Sequence, residues 1–514
     1  MKMRVEQKSN VKNSIGRLTF AGLALLFQII WFMLMGLLLS SYSTLIYTLV
    51  SALALFVAIM MYRKTSNSEM RISWLIVILS FPALGLILYL LLGRPNTTKG
   101  MRQRYEQIDR VVYKYIKQDD TVFEQIEKED ISIANQMRYI KDYARFPAYK
   151  NEGIEYYDDA LAGFNAQLEA LEKAEKFIFM EYHAIEDEES YARLHEILVR
   201  KAREGLDVRI LYDDMGSIFF INRDFNEKLE REGIKCKAFN PVVPILKMFM
   251  NNRDHRKITI IDGKIGFTGG YNLANEYFNI VNPYGHWKDT GIKIKGAAVN
   301  NFTAMFLEMW NATEREDVDM SKFFVDEKSF PDKEGYIQPY GDSPLDGEHV
   351  GENVYLNMIK NAKHYVYIVT PYLIITDEMN HELGLAAKRG VDVRIVTPGI
   401  PDKKVVYQVT RSYYSDLVAN GVRIYEYTPG FCHAKMTICD DEIATVGTIN
   451  YDYRSLYHHF EDGCLIYKCN VLDRIRDDFY SMFEVSSEVT ENYRAKSQYL
   501  RIEQCALRII APLL

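Results

Sequence analysis

The sequence predicts an α/β chain in which two homologous halves form one catalytic unit, preceded by N-terminal transmembrane helices. Three observations carry this. Residues 18–62 contain no charged side chain. Segments after residue 170 recur at a nearly fixed offset. One polar motif stands once in each copy. At 514 residues the chain exceeds a single core. It divides into a membrane anchor (1–100), a polar linker (101–145), two α/β units (146–330 and 331–492) and a tail (493–514).

One membrane span takes about 20 apolar residues. Residues 18–62 therefore hold two, with Ser40-Ser41-Tyr42-Ser43 as the turn. A third uncharged run, 72–93, contains Pro82 and Gly85, which transmembrane helices tolerate. The first run is too long for a cleaved leader and lacks a small-residue cleavage site. Two or three spans are thus expected. Lys2, Arg4, Lys8, Lys12 and Arg17 precede the apolar region, and Arg94, Lys99, Arg102 and Arg104 follow it. Three spans would put these clusters on opposite sides, against the positive-inside rule, unless one run is re-entrant or interfacial. The orientation stays open at this level. Residues 94–145 turn polar, with Asp119, Asp120, Glu124, Glu127, Glu129 and Asp130, and read as a solvated helix or linker.

The α/β part repeats itself. Ala174–Met180 resembles Ala362–Ile368. Lys201-Ala-Arg-Glu-Gly205 with its following strand resembles Ala387-Lys-Arg-Gly390, and Leu229–Ile234 resembles Leu417–Val422. The offsets are 188, 185 and 188 residues. In the latter two pairs a glycine closes a helix before a β-branched strand. Helices alternating with strands imply helix-covered sheets.

The motif reads His255-Arg-Lys257-Ile-Thr-Ile-Ile-Asp262 with Gly269-Gly270-Tyr-Asn272, then His433-Ala-Lys435-Met-Thr-Ile-Cys-Asp440 with Gly447-Thr448-Ile-Asn450. On a strand, residues two apart share a face, so each His points with its Lys. Lysine is rarely buried unpaired. Beside a phosphate the pair makes sense: Lys supplies charge, and His supplies a nitrogen for attack or proton transfer. Asp262 and Asp440 have opposite parity and fix the turn or the Lys. Asn272 and Asn450 are donors for phosphate oxygens, and the glycine-rich segments admit close backbone approach.

Other readings are bland. The 62 basic and 69 acidic residues give a net charge of −7, which argues against a nucleic-acid partner. The six cysteines form no C-x-x-C pair and no zinc spacing, so neither metal nor cofactor is expected. The remaining histidines read as surface or satisfied core residues, His286 and His458 lying nearest the motifs.

Two such motifs inside a duplicated unit resemble the phospholipase D superfamily, over roughly residues 150–490. Thr448-Ile-Asn-Tyr-Asp-Tyr-Arg-Ser455, Phe460-Glu461 and Trp287-Lys-Asp289-Thr resemble the bacterial cardiolipin synthases within it. So do the pattern Trp74…Pro82…Gly85…Tyr89…Gly93 and the ending Arg508-Ile-Ile-Ala-Pro-Leu-Leu514. The resemblance implies one metal-free site with His255, Lys257, Asp262, His433, Lys435 and Asp440 as its catalytic set. It implies a phosphohistidine on His255 with His433 as acid and base, although the residues alone do not distinguish the two. Asp289 and Glu461 would orient the imidazoles, and Asn272, Asn450, Thr448 and Gly270 would hold substrate. Phosphatidylglycerol would be donor and acceptor, with glycerol released, in a multi-pass protein of the cell membrane with a cytoplasmic site. A homo-oligomer is compatible with this. Rivals are a phospholipase D hydrolase, transfer to another alcohol, a related nuclease, and a non-catalytic scaffold. Two departures stand out: an extra N-terminal span, and Gly270 where the family often has Ser. The first half also carries ten extra residues before its motif, including the apolar stretch 241–250. That stretch either meets the bilayer or acyl chains, or packs on its own domain. The tail from Tyr493 reads as an interfacial helix or a packed one.

Overall fold

The computed structural model describes residues 44–513, except 64–66, 94–98, 242–251, 326–329 and 495–501, together with scattered positions between 23 and 37. The apolar stretch 242–250 and most of the run before Thr44, with its proposed Ser40–Ser43 turn, lie outside the described residues.

Each half builds one mixed sheet. The first runs Ile154–Tyr157, Gly291–Lys295, Ile265–Gly269, Lys257–Ile261, Phe177–Tyr182, Asp207–Asp213, Lys235–Phe239. The second repeats this order as Tyr336–Asp342, Glu461–Tyr467, Ile443–Gly447, Met436–Cys439, Tyr365–Val369, Asp392–Pro398, Arg423–Tyr427. Tyr149–Lys150 and Ser486–Glu488 extend its edges, so residues just before the first half complete the second. Both motif strands run antiparallel to their first neighbour, Phe177–Tyr182 or Tyr365–Val369. Gly205 and Gly390 both sit at φ 95°, closing the helices Glu189–Arg203 and Asp377–Lys388 as the repeat predicts.

The halves face each other and pair across the seam. Gly430–Cys432 runs parallel to His286–Lys288, and Asp254 bridges Phe460. The helix Val299–Thr313 is buried along nearly its whole length, with Phe302, Met305, Phe306 and Met309 in the core.

The segment read as a polar linker is helical, with a buried face. Lys99–Val112, Asp120–Glu129 and Ile131–Tyr139 sink Tyr105, Ile108, Val112, Ile126 and Met137 into the core. Their apolar residues recur at helical spacing among the charges. Tyr105 stacks on Phe460 with ring centroids 5.5 Å apart.

Near the N-terminus, α1 (Thr44–Met61) exposes Leu45, Leu49, Leu53, Phe56 and Ile59. The run 72–93 is not one helix. It breaks at Phe81 (φ −134°, ψ 74°) into α2 (Ser68–Ser80) and α3 (Pro82–Leu92). Pro82 lacks the N–H and the room to continue α2, and suits the first turn of α3. The two helices pack so closely that a Cβ on Gly85 would lie 2.5 Å from Ile78 Cα. At 1.5 Å per residue they measure roughly 20 and 17 Å, short of a hydrocarbon core of about 30 Å. Among the described residues no helix is long and apolar enough to cross a membrane. Asn67 caps α2 and donates to Tyr457 Oη at 2.8 Å, docking this hairpin on the second half. The tail helix α4 (Ile502–Ile510) packs rather than standing free: Arg508 donates to Ser412 O at 2.8 Å and lies over the Tyr413 ring.

Candidate active site

The seam brings the two motifs together. His255 N donates to Phe460 O at 2.9 Å, and Phe460 N returns a bond to Arg253 O at 2.9 Å. His433 N donates to Lys288 O at 2.7 Å. Each histidine is thus stitched to the opposite half, and each takes its carboxylate from there. His255 Nδ1 donates to Glu461 Oε2 at 2.8 Å, and His433 Nδ1 donates to Asp289 Oδ2 at 2.7 Å. Thr448 Oγ1 donates to the same Glu461 oxygen at 2.6 Å. With Nδ1–H committed, each imidazole presents Nε2 to the cleft.

Lys257 Nζ donates to His255 O at 2.6 Å, and Lys435 Nζ donates to the carbonyl of His433 and lies 2.9 Å from its Nε2. Burial pushes Lys257 down to about 8 and Lys435 down to about 7. Burial, then the neighbouring lysines, pushes His433 down to about 3 and His255 well below its ordinary value. Burial pushes the Asp289 carboxyl up, but His433 outweighs it and holds the group below the usual range. Burial thus disfavours the charged form of both imidazoles and of both lysines, while Asp289 favours it on His433. An anion between them would favour the charged forms.

Other residues named from the sequence fall elsewhere. The carboxylates of Asp262 and Asp440 face away from the chemistry. Asp262 accepts from the backbone N–H groups of Glu175, Lys176 and Phe177, and Asp440 from those of Lys363, His364 and Tyr365. Both adopt positive φ, 54° and 56°, at the strand turn. They fasten the motif strand to its neighbour, which agrees with their parity and not with a place in the catalytic set. Asn272 is occupied: its Oδ1 accepts from Ala184 N at 3.1 Å and its Nδ2 donates to Tyr277 Oη at 2.8 Å. Asn450 is buried near Asp452, with its amide oxygen unpartnered.

Gly270 makes room for a side chain rather than missing a hydroxyl. A Cβ there would lie 2.0 Å from Asp289 Oδ1. The first half pairs glycine with the shorter carboxylate, and the second pairs Thr448 with Glu461. Gly270→Ser is accordingly expected to displace Asp289 and lower kcat by roughly 100-fold, since misplacement by about 1 Å can cost that much. Steady-state kinetics on the folded variant checks it, and restored hydroxyl donation with unchanged kcat would refute it.

His183 and His459, which the sequence left among bland histidines, flank His255 at ring distances of 5.0 and 5.6 Å. Trp287, Tyr277 and Phe431 surround His433 at 5.1, 5.3 and 5.8 Å. The one available signal for His459 was its place two residues before Glu461. His459 Nδ1 and Glu461 Oε1 are buried without hydrogen-bond partners, 3.5 Å apart. With His255 they form a group whose donor atoms lie within 4.8 Å of one another and could hold a metal ion.

The chain resembles known proteins. The family model described as cardiolipin synthase, PLD-like domain, matches residues 168–310 and 355–483. One described as phospholipase D-nuclease N-terminal matches 49–94. A Streptococcus mutans protein is 40% identical, covering 87% of this chain and 98% of its own length. A cardiolipin synthase of Halalkalibacterium halodurans is 30% identical, covering 91% and 93%. The crystal structure of a Haemophilus influenzae phosphatidylserine synthase superposes with a TM-score of 0.56 at 15% identity, covering 74% of this chain and all of that one. That similarity speaks for the fold, two phospholipase D-like α/β halves. Duplicated sheets, motifs joined across the seam and matches along most of both chains have one reading: this chain belongs to the cardiolipin synthase family of phospholipase D-type phosphatidyltransferases.

Proposed function

We propose that the chain transfers a phosphatidyl group between two phosphatidylglycerol molecules, giving cardiolipin and glycerol. The observation that carries this is the reciprocal pairing of His255 with Glu461 and His433 with Asp289, around two buried lysines. One imidazole attacks phosphorus while the other protonates the leaving glycerol. The second then deprotonates the incoming hydroxyl, which displaces the first. Burial disfavours a charge on either ring, so the phosphodiester anion brings the charge that raises proton affinity, and the acid acquires its proton with substrate. Lys257 and Lys435 counter charge as it builds on the nonbridging oxygens. The enclosed site disfavours water as acceptor, hence the preference over hydrolysis.

Attachment to the bilayer fits the exposed apolar residues of α1 and the helical hairpin. The hairpin also relieves the charge conflict in the sequence. If residues 18–62 cross twice and α2–α3 turns back, the basic clusters at both ends lie on the cytoplasmic side with the active site.

The test is product analysis. Purified protein in liposomes receives labelled phosphatidylglycerol with a chelator present, and lipids are read by mass spectrometry. Cardiolipin plus glycerol is expected. Phosphatidic acid alone would make the protein a hydrolase, and turnover that stops on chelation would overturn the metal-free mechanism.

A pH dependence follows. Burial holds Lys435 down to about 7 and Lys257 down to about 8, so affinity for an anionic lipid falls as pH rises. The expected result is kcat/KM declining above about pH 8, with the limb for kcat at higher pH because bound phosphate retains the protons. A kcat/KM profile flat to pH 10 would contradict it.

A further inference from the structure

The two flanks of the site are related by the repeat but not by charge. The offset of 178 residues that carries His255 onto His433 and Asn272 onto Asn450 also carries Glu276 onto Arg454. Arg454 stands on the His255 flank, in the short helix Tyr453–Tyr457 capped by Asp452. Its carbonyl accepts from the backbone N–H groups of His458 and His459, and the His459 ring neighbours that of His255. The charged groups around Arg454 are Asp452, Arg253 and Asp213. Arg253 lies 3.4 Å from Asp213 and donates to Asn240 O at 3.0 Å. Arg454 itself forms no ion pair among the described residues, and it reaches solvent. On the His433 flank the sign reverses. Glu276 stands near Glu186 and Asp402, and burial, reinforced by both, pushes it up to about 7.

We propose that Arg454 binds the phosphodiester of the second, acceptor lipid; this rests on the cardiolipin-forming reading. The reacting centre, with its two lysines, neutralises one phosphodiester. An acceptor that carries its own phosphate needs a second cation close by, and an unpaired guanidinium fits a phosphate bidentately. The acidic Glu276 flank would repel the same anion but accepts hydrogen bonds from glycerol hydroxyls.

This location assigns the histidines. The leaving glycerol and the incoming hydroxyl occupy the same apical position, beside the acid and base. A basic flank at that position makes His255 the acid and base and His433 the nucleophile, the reverse of the order implied by family resemblance. The His433 Nε2 lone pair attacks phosphorus. The bond from phosphorus to the glycerol oxygen breaks, and His255 Nε2–H gives that oxygen its proton. Neutral His255 then takes the proton of the acceptor hydroxyl, whose oxygen attacks phosphorus, and the P–N bond returns its electron pair to His433. One feature agrees. Aromatic rings line His433 and would keep water from a phosphohistidine.

The experiment offers two acceptors in one reaction. Full-length enzyme receives labelled phosphatidylglycerol with deuterated glycerol, and mass spectrometry measures cardiolipin against head-group-exchanged phosphatidylglycerol. In Arg454→Ala and Arg454→Met the ratio of cardiolipin to exchange is expected to fall at least tenfold, with Arg454→Lys recovering part of it. A ratio within twofold of wild type, or equal loss of both products, overturns the subsite. Wild-type enzyme that exchanges glycerol but makes no cardiolipin overturns the proposed function instead.

Discussion

Alanine at either His255 or His433 is expected to lower cardiolipin formation by roughly 10⁴-fold, and the double variant should be little worse than either single one. Both steps need both rings, so removing the second costs almost nothing once the first is gone. The leaving group separates their roles. A phosphatidyl donor with a p-nitrophenol leaving group departs without protonation. His255→Ala should therefore still release p-nitrophenol in a single burst, whereas His433→Ala should release none. Equal bursts from both, or the opposite pattern, would refute the assignment of His433 as nucleophile. Turnover of phosphatidylglycerol by either variant near the wild-type rate would refute the two-histidine mechanism.

Asp289→Asn and Glu461→Gln should each lower kcat on the order of 10³-fold with far smaller change in KM. Each amide keeps the shape but can donate to Nδ1, which favours the wrong tautomer and withdraws support from the imidazolium. The partners lie 2.7 and 2.8 Å away, so the geometry of the contact is already short and direct. The two losses should differ in recovery. Thr448 also donates to Glu461, so Thr448→Val should repeat a milder version of Glu461→Gln, while no side chain at Gly270 plays that part for Asp289. Variants that retain kcat and instead raise KM would reduce these carboxylates to substrate contacts.

Much of this was legible in the sequence, and what was not has physical causes. The repeat revealed two matching α/β halves, because helix-closing glycines such as Gly205 and Gly390 mark the same turn in both copies. Strand parity alone separated His255 and Lys257 from Asp262. The exchange of carboxylates was not legible from spacing, because Glu461 and Asp289 act on the opposite half and no local period records that. His183 and His459 carry no local pattern either; they become neighbours of His255 only through the seam. The break at Phe81–Pro82 was hidden because the residues on both sides are equally apolar, and hydropathy does not see a hairpin. The burial of the helices of 99–139 was missed for the converse reason. Their buried face is narrow, and abundant charges around it mask Tyr105, Ile108 and Val112 unless the helical period is tested.

The crosswise stitching of the site has a further consequence. Because each histidine is oriented by the other half, a small slip between the halves uncouples both at once. Activity then works as a coincidence detector for the seam. On heating, turnover should vanish before either sheet melts. Loss of activity would thus report sliding between two intact bodies, an event that spectroscopic signals of secondary structure pass over.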